Sequence, residues 1–427
     1  MKVLWLSGNS LRRTSNSTGS WLYSMAEALS GRSGIKLVNV TVKRKRSILD
    51  FDYYFGSIEH YKISDRLEEY VLPRYLAHPD GGAPFAYFAR RIKALIENIN
   101  PDIIHCWGLE CFYSRLMPDL VPSTPTLLEI QGLRYEYADF YRGDLSMEDI
   151  ADSRDFASYI TLGRNSVLHA ERWMRNVGRI DNLCLSKYKF VSAQSDWVEN
   201  VLKEKTSAKI FRTKMSVRTP FLTCDVWRYP TDGSINFFFS ASSAIPYKGI
   251  QTGIKALYLV KKTYPNVRLK VAGGFSTKFE WNGRDYQRFI LRLIKKLGLT
   301  DNIDFLGRLT AEEIVETQHK CIAAVQTSFI ETYSLFNAEA LCTGLPLISS
   351  YSGAMPELAK DGEAALYYQP GDFHSCSSLM LRLIENKELA CRLSKNAVSL
   401  NRSKHNPEAV ANCQMKIYEE ITTGNMQ

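Results

Sequence analysis

Between Ser328 and Ala340 the chain places two acids and a capping serine around one strand-to-helix junction. Residues 322–327 read as a buried strand, and 335–341 as the start of a helix. Ser334 is a type that caps helices, with Asn337 in the first turn. The amides about Ser334 and Leu335 would lack intrahelical acceptors, and with the helix dipole they favour an anion such as a phosphate. Glu331 stands just before the helix and Glu339 eight residues on. Treated as helix throughout, that separation rises ~12 Å and leaves both positions on broadly the same side. Two carboxylates so placed could flank a diphosphate and accept hydrogen bonds from hydroxyls at opposite ends of a ligand. Spacing alone favours a plainer assignment, a surface glutamate and a helix-packing one.

Other residue types could join such a site. Lys248, in Pro246-Tyr247-Lys248-Gly249-Ile250, sits at the opening of a helix. An ammonium there can neutralise a departing diphosphate. Gln131, in Leu128-Glu129-Ile130-Gln131-Gly132-Leu133, offers an amide that donates and accepts but is neither acid nor base near neutral pH. Gly19 and Ser20 lie in the loop after the first strand, where glycine permits close backbone approach to a phosphate or sugar. Gly8 and Gly19 do not compose a dinucleotide fingerprint. Arg308, beside Gly307, is a candidate for base or phosphate contact, and His105 reads as a structural histidine at a strand end. No D-x-D pair stands at a strand end to hold a divalent cation, so neither a metal nor a cofactor is expected. Asp102 and Asp196 read as a loop residue and a helix cap.

Positioning these groups requires strands that end at a common edge. Short apolar runs alternate with helical patterns, the signature of parallel sheets covered by helices. In the first half strands fit 3–6, 103–106, 126–130 and 190–192, and helices fit 21–29, 85–99 and 196–204. In the second half strands fit 235–240, 267–272, 303–306, 322–327 and 346–349, with helices between them and a helical tail. Residues 134–179 show helical patches without strand–helix alternation. Pro220 and Pro230 mark a linker. Residues 1–217 are therefore expected as one Rossmann-like domain and 218–405 as a second, with parallel sheets facing across a cleft.

The 427 residues carry a net charge of +9, which suits phosphate-bearing ligands or an anionic membrane surface. The basic residues are scattered; only Lys43 to Arg46 form a short run, so nucleic acid is not an expected partner. The nine cysteines include no C-x-x-C pair and read as reduced thiols of a cytoplasmic protein. Residues 3–6 are too short for a signal-peptide core. No stretch approaches the ~20 apolar residues that span a bilayer, which leaves peripheral contact with the inner face of the cytoplasmic membrane open.

The run from Glu331 to Glu339, continuing through Gly344-Leu345-Pro346 and Gly353-Ala354-Met355-Pro356-Glu357, resembles the E-x7-E region of the family 4 retaining glycosyltransferases with the two-domain GT-B fold. The resemblance covers most of the chain, including Gly307, 364–372 and the helical tail. It implies a metal-independent retaining transferase whose first domain holds a lipid-linked or saccharide acceptor and whose second holds a nucleotide-sugar donor. It also implies that the last helix, about 406–427, packs back on the first domain, and that the role lies in polysaccharide, capsule or glycolipid assembly. By the same resemblance Glu331 faces the donor sugar, the amides at Ser334 and Leu335 the phosphates, and Glu339 the ribose. Lys248 with Gly249 meets the leaving diphosphate, Gly19 resembles the family's first glycine turn, and Gln131 replaces a common histidine. The family's usual arginine five or six positions before the lysine is replaced by Ser242 and Ser243. That departure keeps two alternatives in view: a nucleotide-sugar-binding protein without turnover, and a GT-B sugar epimerase.

Overall fold

A computed structural model describes residues 1–12, 20–43, 50–75, 83–154, 158, 163–164, 166–241, 244–275 and 285–424. The chain divides into two compact units. The first comprises Met1–Gly132, Ile180–Ser216 and Asn406–Gln427; the second comprises Leu133–Arg179 and Val217–His405.

The first unit is built on β1 (Lys2–Leu6), β2 (Lys36–Val42), β3 (Glu59–Ser64), β4 (Leu67–Leu72), β5 (Ile103–Trp107), β6 (Thr126–Glu129), β7 (Phe190–Ala193) and β8 (Lys209–Arg212). They form one sheet in the order β3-β4-β2-β1-β5-β6-β7-β8, parallel except for β3 on β4. The apolar run 3–6 is wholly buried, as a strand covered on both faces must be. Sequence reasoning passed over β2, whose buried Asn39 and Thr41 interrupt the apolar run, the hairpin β3–β4 and the edge strand β8. Strand β3 alternates half-buried and exposed residues, the pattern of a charged sheet edge.

The helix Pro407–Gly424 belongs to this unit. Its Val410, Ala411, Ile417 and Tyr418 share a core with Val3, Trp5, Leu22 and Met25. The indole Nε1 of Trp5 donates to the Tyr418 hydroxyl at 2.9 Å, so the tail is fixed by a buried hydrogen bond as well as by apolar burial.

The second unit carries β9 (Asn236–Ala241), β10 (Arg268–Gly273), β11 (Ile303–Gly307), β12 (Ala323–Gln326), β13 (Leu347–Ser350) and β14 (Leu366–Tyr368). All are parallel, in the order β11-β10-β9-β12-β13-β14. That is the doubly wound Rossmann order. Three successive buried phenylalanines, Phe237, Phe238 and Phe239, make β9 apolar on both faces, which suits its central position.

Residues 133–179, expected with the first domain, belong to the second unit. The helix Arg134–Asp139 buries Tyr137 and Ala138, and Met147–Asp152, opened by a Ser146/Asp149 capping box, buries Ile150. Nothing in their short helical patterns states which body receives the buried face; tertiary packing alone decides it.

Candidate active site

In a doubly wound sheet, ligands bind beyond the carboxyl ends of the strands where the order reverses. In the second unit that point lies between β9 and β12. The chain after β9 reaches the turn Pro246–Lys248, then Gly249 at φ +69°, then the helix Ile250–Lys261. The chain after β12 runs through 327–333 to Ser334, which caps the helix Leu335–Thr343 by accepting from the Asn337 N–H. The two loops are sewn together. The Thr327 hydroxyl donates to the Lys248 carbonyl at 2.8 Å, and the Phe329 N–H donates to the Tyr247 carbonyl at 2.7 Å. A Cβ at position 249 would lie 2.0 Å from the Thr327 carbonyl oxygen, so only glycine serves there. Gln326 folds the second loop: its side-chain oxygen accepts from the Thr327 N–H, and its Nε2 donates to the Ser334 hydroxyl.

This sewing brings opposite charges into contact. Lys248 Nζ lies 2.6 Å from Glu331 Oε1, which also accepts from the Ser328 hydroxyl at 2.8 Å. The Glu331 side chain is 7% exposed and that of Lys248 25%. Burial works against the Lys248 ammonium, but the neighbouring Glu331 carboxylate outweighs it and holds the lysine above its ordinary pKa. The Glu331 backbone is fixed too. Its carbonyl accepts from the Ala354 N–H at 2.9 Å, and a Cβ on Gly353 (φ +53°) would stand 2.3 Å from that oxygen. A cation and a carboxylate therefore stand fixed beside a helix start whose first amides, at Leu335 and Phe336, have no intrahelical acceptor. An incoming diphosphate can take over the ammonium and free the carboxylate to accept from hydroxyls.

The second acid is placed differently from expectation. The helix opens at Leu335, so Glu331 belongs to the loop and Glu339 lies little more than one turn inside. The helical rise from Leu335 to Glu339 is ~6 Å, not the ~12 Å of an eight-residue helical span. Glu339 meets Arg218 in a bidentate pair, with Nε at 2.8 Å and the second nitrogen at 3.0 Å. Burial lifts the Glu339 carboxyl above the ordinary carboxylate range, and Arg218 opposes that rise. Arg218 was missed from the sequence because it stands among the prolines of the linker, far along the chain from its partner.

The model of the family "Glycosyl transferases group 1" matches residues 226–399. Those residues are thus similar to the group 1 glycosyltransferases. The MMP alpha-(1->4)-mannosyltransferase of Mycolicibacterium hassiacum is 28% identical over 181 residues, 42% of this chain and 42% of that protein. The matched stretch thus spans about two fifths of that relative's length. An uncharacterized glycosyltransferase of Methanocaldococcus jannaschii is 25% identical over 333 residues, 77% of this chain and 78% of that one. Among solved structures, the sucrose-phosphate synthase of Thermosynechococcus elongatus superposes with a TM-score of 0.72 at 16% identity, covering 99% of both chains. The fold is GT-B, with two Rossmann-like α/β units.

Within the matched stretch, the structure gathers Lys248, Gly249, Glu331, Ser334 and Leu335 at one sheet end, with Glu339 a turn beyond. Arg308 is exposed at the end of β11, the sheet's edge strand and two positions from β9. Gln131 belongs to the first unit, just past β6, where its Cγ would lie 3.1 Å from a Cβ at Gly108. Gly19 lies outside the described residues, as do Ser242 and Ser243; Ser20 opens the helix Ser20–Ser30, and its side chain lies outside them too. Residues 10–12 are held by Glu69, which accepts from the Ser10 hydroxyl, the Leu11 N–H and Arg12. Sequence reasoning missed Glu69, whose strand was itself unread. His105 is fully buried, its Nδ1 2.6 Å from the Tyr418 hydroxyl. Among the described residues no helix is long and apolar enough to cross a membrane, and no group of three or more His, Cys, Asp or Glu residues could hold a metal ion.

Proposed function

We propose that this protein is a retaining, metal-independent glycosyltransferase that moves a sugar from a nucleoside-diphosphate donor to a saccharide or lipid-linked acceptor, in polysaccharide or glycolipid assembly. The second unit takes the donor and the first unit the acceptor. The observation that carries the reading is the Lys248–Glu331 contact at the sheet's switch point, beside the capped helix at Ser334. The diphosphate lies on the Leu335 and Phe336 amides with Lys248 against it, and Glu331 turns to the sugar hydroxyls. Glu339 accepts from the ribose while Arg218 opposes the rise that burial imposes on its carboxyl. Arg308, about two strand spacings (~10 Å) from β9, is within reach of the base end.

In the reaction the bond from the sugar's anomeric carbon to the leaving phosphate oxygen breaks, its electron pair going to the diphosphate. The acceptor hydroxyl oxygen forms the new bond on the same face, and its proton passes to the departing phosphate oxygen. Gln131, on the acceptor unit, orients without exchanging protons. Lys248 and the helix amides stabilise the charge that grows on the leaving group, which is the main source of rate. Supply of that charge by the chain itself supports independence from a divalent cation.

The test is turnover of UDP-, GDP- and ADP-sugars, first screened by thermal shift, since binding to the native state raises the melting temperature. Transfer with retained anomeric configuration by NMR, undiminished by EDTA and lowered about a hundredfold or more in Glu331→Ala and Lys248→Ala, is expected. Wild-type rates in both variants would refute the site. Binding without transfer would identify a non-catalytic protein, and a sugar isomer formed without acceptor would identify an epimerase.

A further inference from the structure

Residues 133–145 follow directly on β6 of the first unit yet pack on both loops of the candidate site in the second. The Thr332 N–H donates to the Tyr137 hydroxyl at 3.0 Å, and that hydroxyl lies 3.1 Å from the Thr332 Oγ1. The Tyr137 and Tyr141 rings stand 5.2 and 5.9 Å from that of Tyr247, the residue before Lys248. Gly143, at φ +59°, seats its backbone where a Cβ would come 2.8 Å from the Phe329 ring and 3.1 Å from the Pro246 carbonyl. Asp144 accepts from Gln251 Nε2 at 2.5 Å and from Lys255 Nζ at 3.2 Å, on the helix that Lys248 precedes.

Tyr137 thus bonds the peptide immediately after Glu331 while its ring touches the turn that carries Lys248. We propose that Tyr137 is a positioning residue for Glu331, and that segment 133–145 fixes the separation of the two charged loops. The inference rests on the transferase reading above and adds the part of the chain that sets its geometry. Glu331 is held at its own carboxylate by Lys248 and Ser328 and at its carbonyl by Ala354. Tyr137 adds a hold at the peptide that follows Glu331. Without the hydroxyl, the Thr332 N–H loses a buried acceptor and the peptide after Glu331 loses that hold. The sugar end of the site is then affected, and the phosphate end, built on the Ser334 helix, is not.

Tyr137→Phe removes the hydroxyl and keeps the ring. The experiment is a cycle of wild type, Y137F, Glu331→Gln and the double variant, with turnover of UDP-glucose, GDP-mannose and ADP-glucose, and calorimetry with the free nucleoside diphosphates. For the donor that turns over, Y137F should lower kcat about tenfold, the scale of one net hydrogen bond, with nucleoside-diphosphate affinity unchanged. In the Glu331→Gln background it should cost nothing further. A Y137F rate within twofold of wild type overturns the proposal. So do losses that multiply in the double variant, or a parallel loss of nucleoside-diphosphate binding, the mark of a merely structural role. Glu331→Gln at the wild-type rate, or turnover of none of the three donors, overturns the transferase site itself and leaves Tyr137 nothing to position. Melting curves of all four proteins, and Thr332→Ala as a second variant that keeps the N–H donor, separate misfolding from misplacement: T332A should stay within threefold of wild type, and a larger loss contradicts the role assigned to the peptide N–H.

Discussion

Lys248→Ala separates the two things that the Lys248–Glu331 pair does. In the free protein the ammonium is the main partner of a carboxylate that is 7% exposed. Removing it strands Glu331 with the Ser328 hydroxyl as its remaining side-chain donor among the described residues. The loss of a charged partner at a buried group costs about 1–3 kcal/mol, and the partial exposure of Lys248 argues for the middle of that range. In a unit of this size about 2 kcal/mol lowers the melting midpoint by roughly 4–8 °C. The catalytic loss has another origin, the missing charge on the leaving diphosphate, and is about 10²–10³-fold in kcat. The double variant Lys248→Ala/Glu331→Gln tells the two apart. Gln carries no charge to strand, so calorimetric melting should recover most of the lost stability. Transfer, followed by release of nucleoside diphosphate, should stay at or below the level of Lys248→Ala. A Lys248→Ala protein that transfers within twofold of wild type would falsify the electrostatic role. Recovery of activity together with stability in the double variant would show that Lys248 acts only by holding the fold.

Three further outcomes follow from the same physics. Arg218→Ala should destabilise the protein more at pH 8 than at pH 5, by urea melts at both. Glu339 is already held above the ordinary carboxylate range, so its stability contribution falls as pH rises, and loss of Arg218 raises the carboxyl further; an equal cost at both pH values refutes the pairing. Glu129 in the first unit is pushed up to about 8 by burial, against the opposing hydrogen bond from Ser192, while buried His105 beside it is lowered to about 3. A carboxyl raised on folding removes stability as pH climbs from about 4.5 to 8, so Glu129→Gln should melt higher than wild type at pH 8 and show little gain at pH 5. Gly249→Ala forces an L side chain into φ +69° with its Cβ 2.0 Å from the Thr327 carbonyl oxygen. The left-handed conformation alone costs about 1–2 kcal/mol, so the variant should lose at least that much stability and most of its transfer; unchanged melting would refute the close approach.

What the sequence determined by itself was local and periodic. The alternation of apolar runs with helical patterns identified most strands of the second unit and the α/β class, because parallel strands buried on both faces must be apolar along their length. Ser334 as a cap and Lys248 at a helix start were legible because such preferences depend on neighbours within one turn. Strands β2, β3 and β4 were not, since Asn39, Thr41 and Glu69 break the apolar run and are tolerated only through partners elsewhere in the fold. Tertiary structure alone decided the contacts between distant segments: Lys248 with Glu331, Arg218 with Glu339, Tyr137 with Thr332. It also decided that 133–179 joins the second unit. A short polar helix carries no record of which body buries it. A hydrogen bond between residues 195 positions apart leaves no periodicity to read, because its energy depends on where the whole fold sets the two ends.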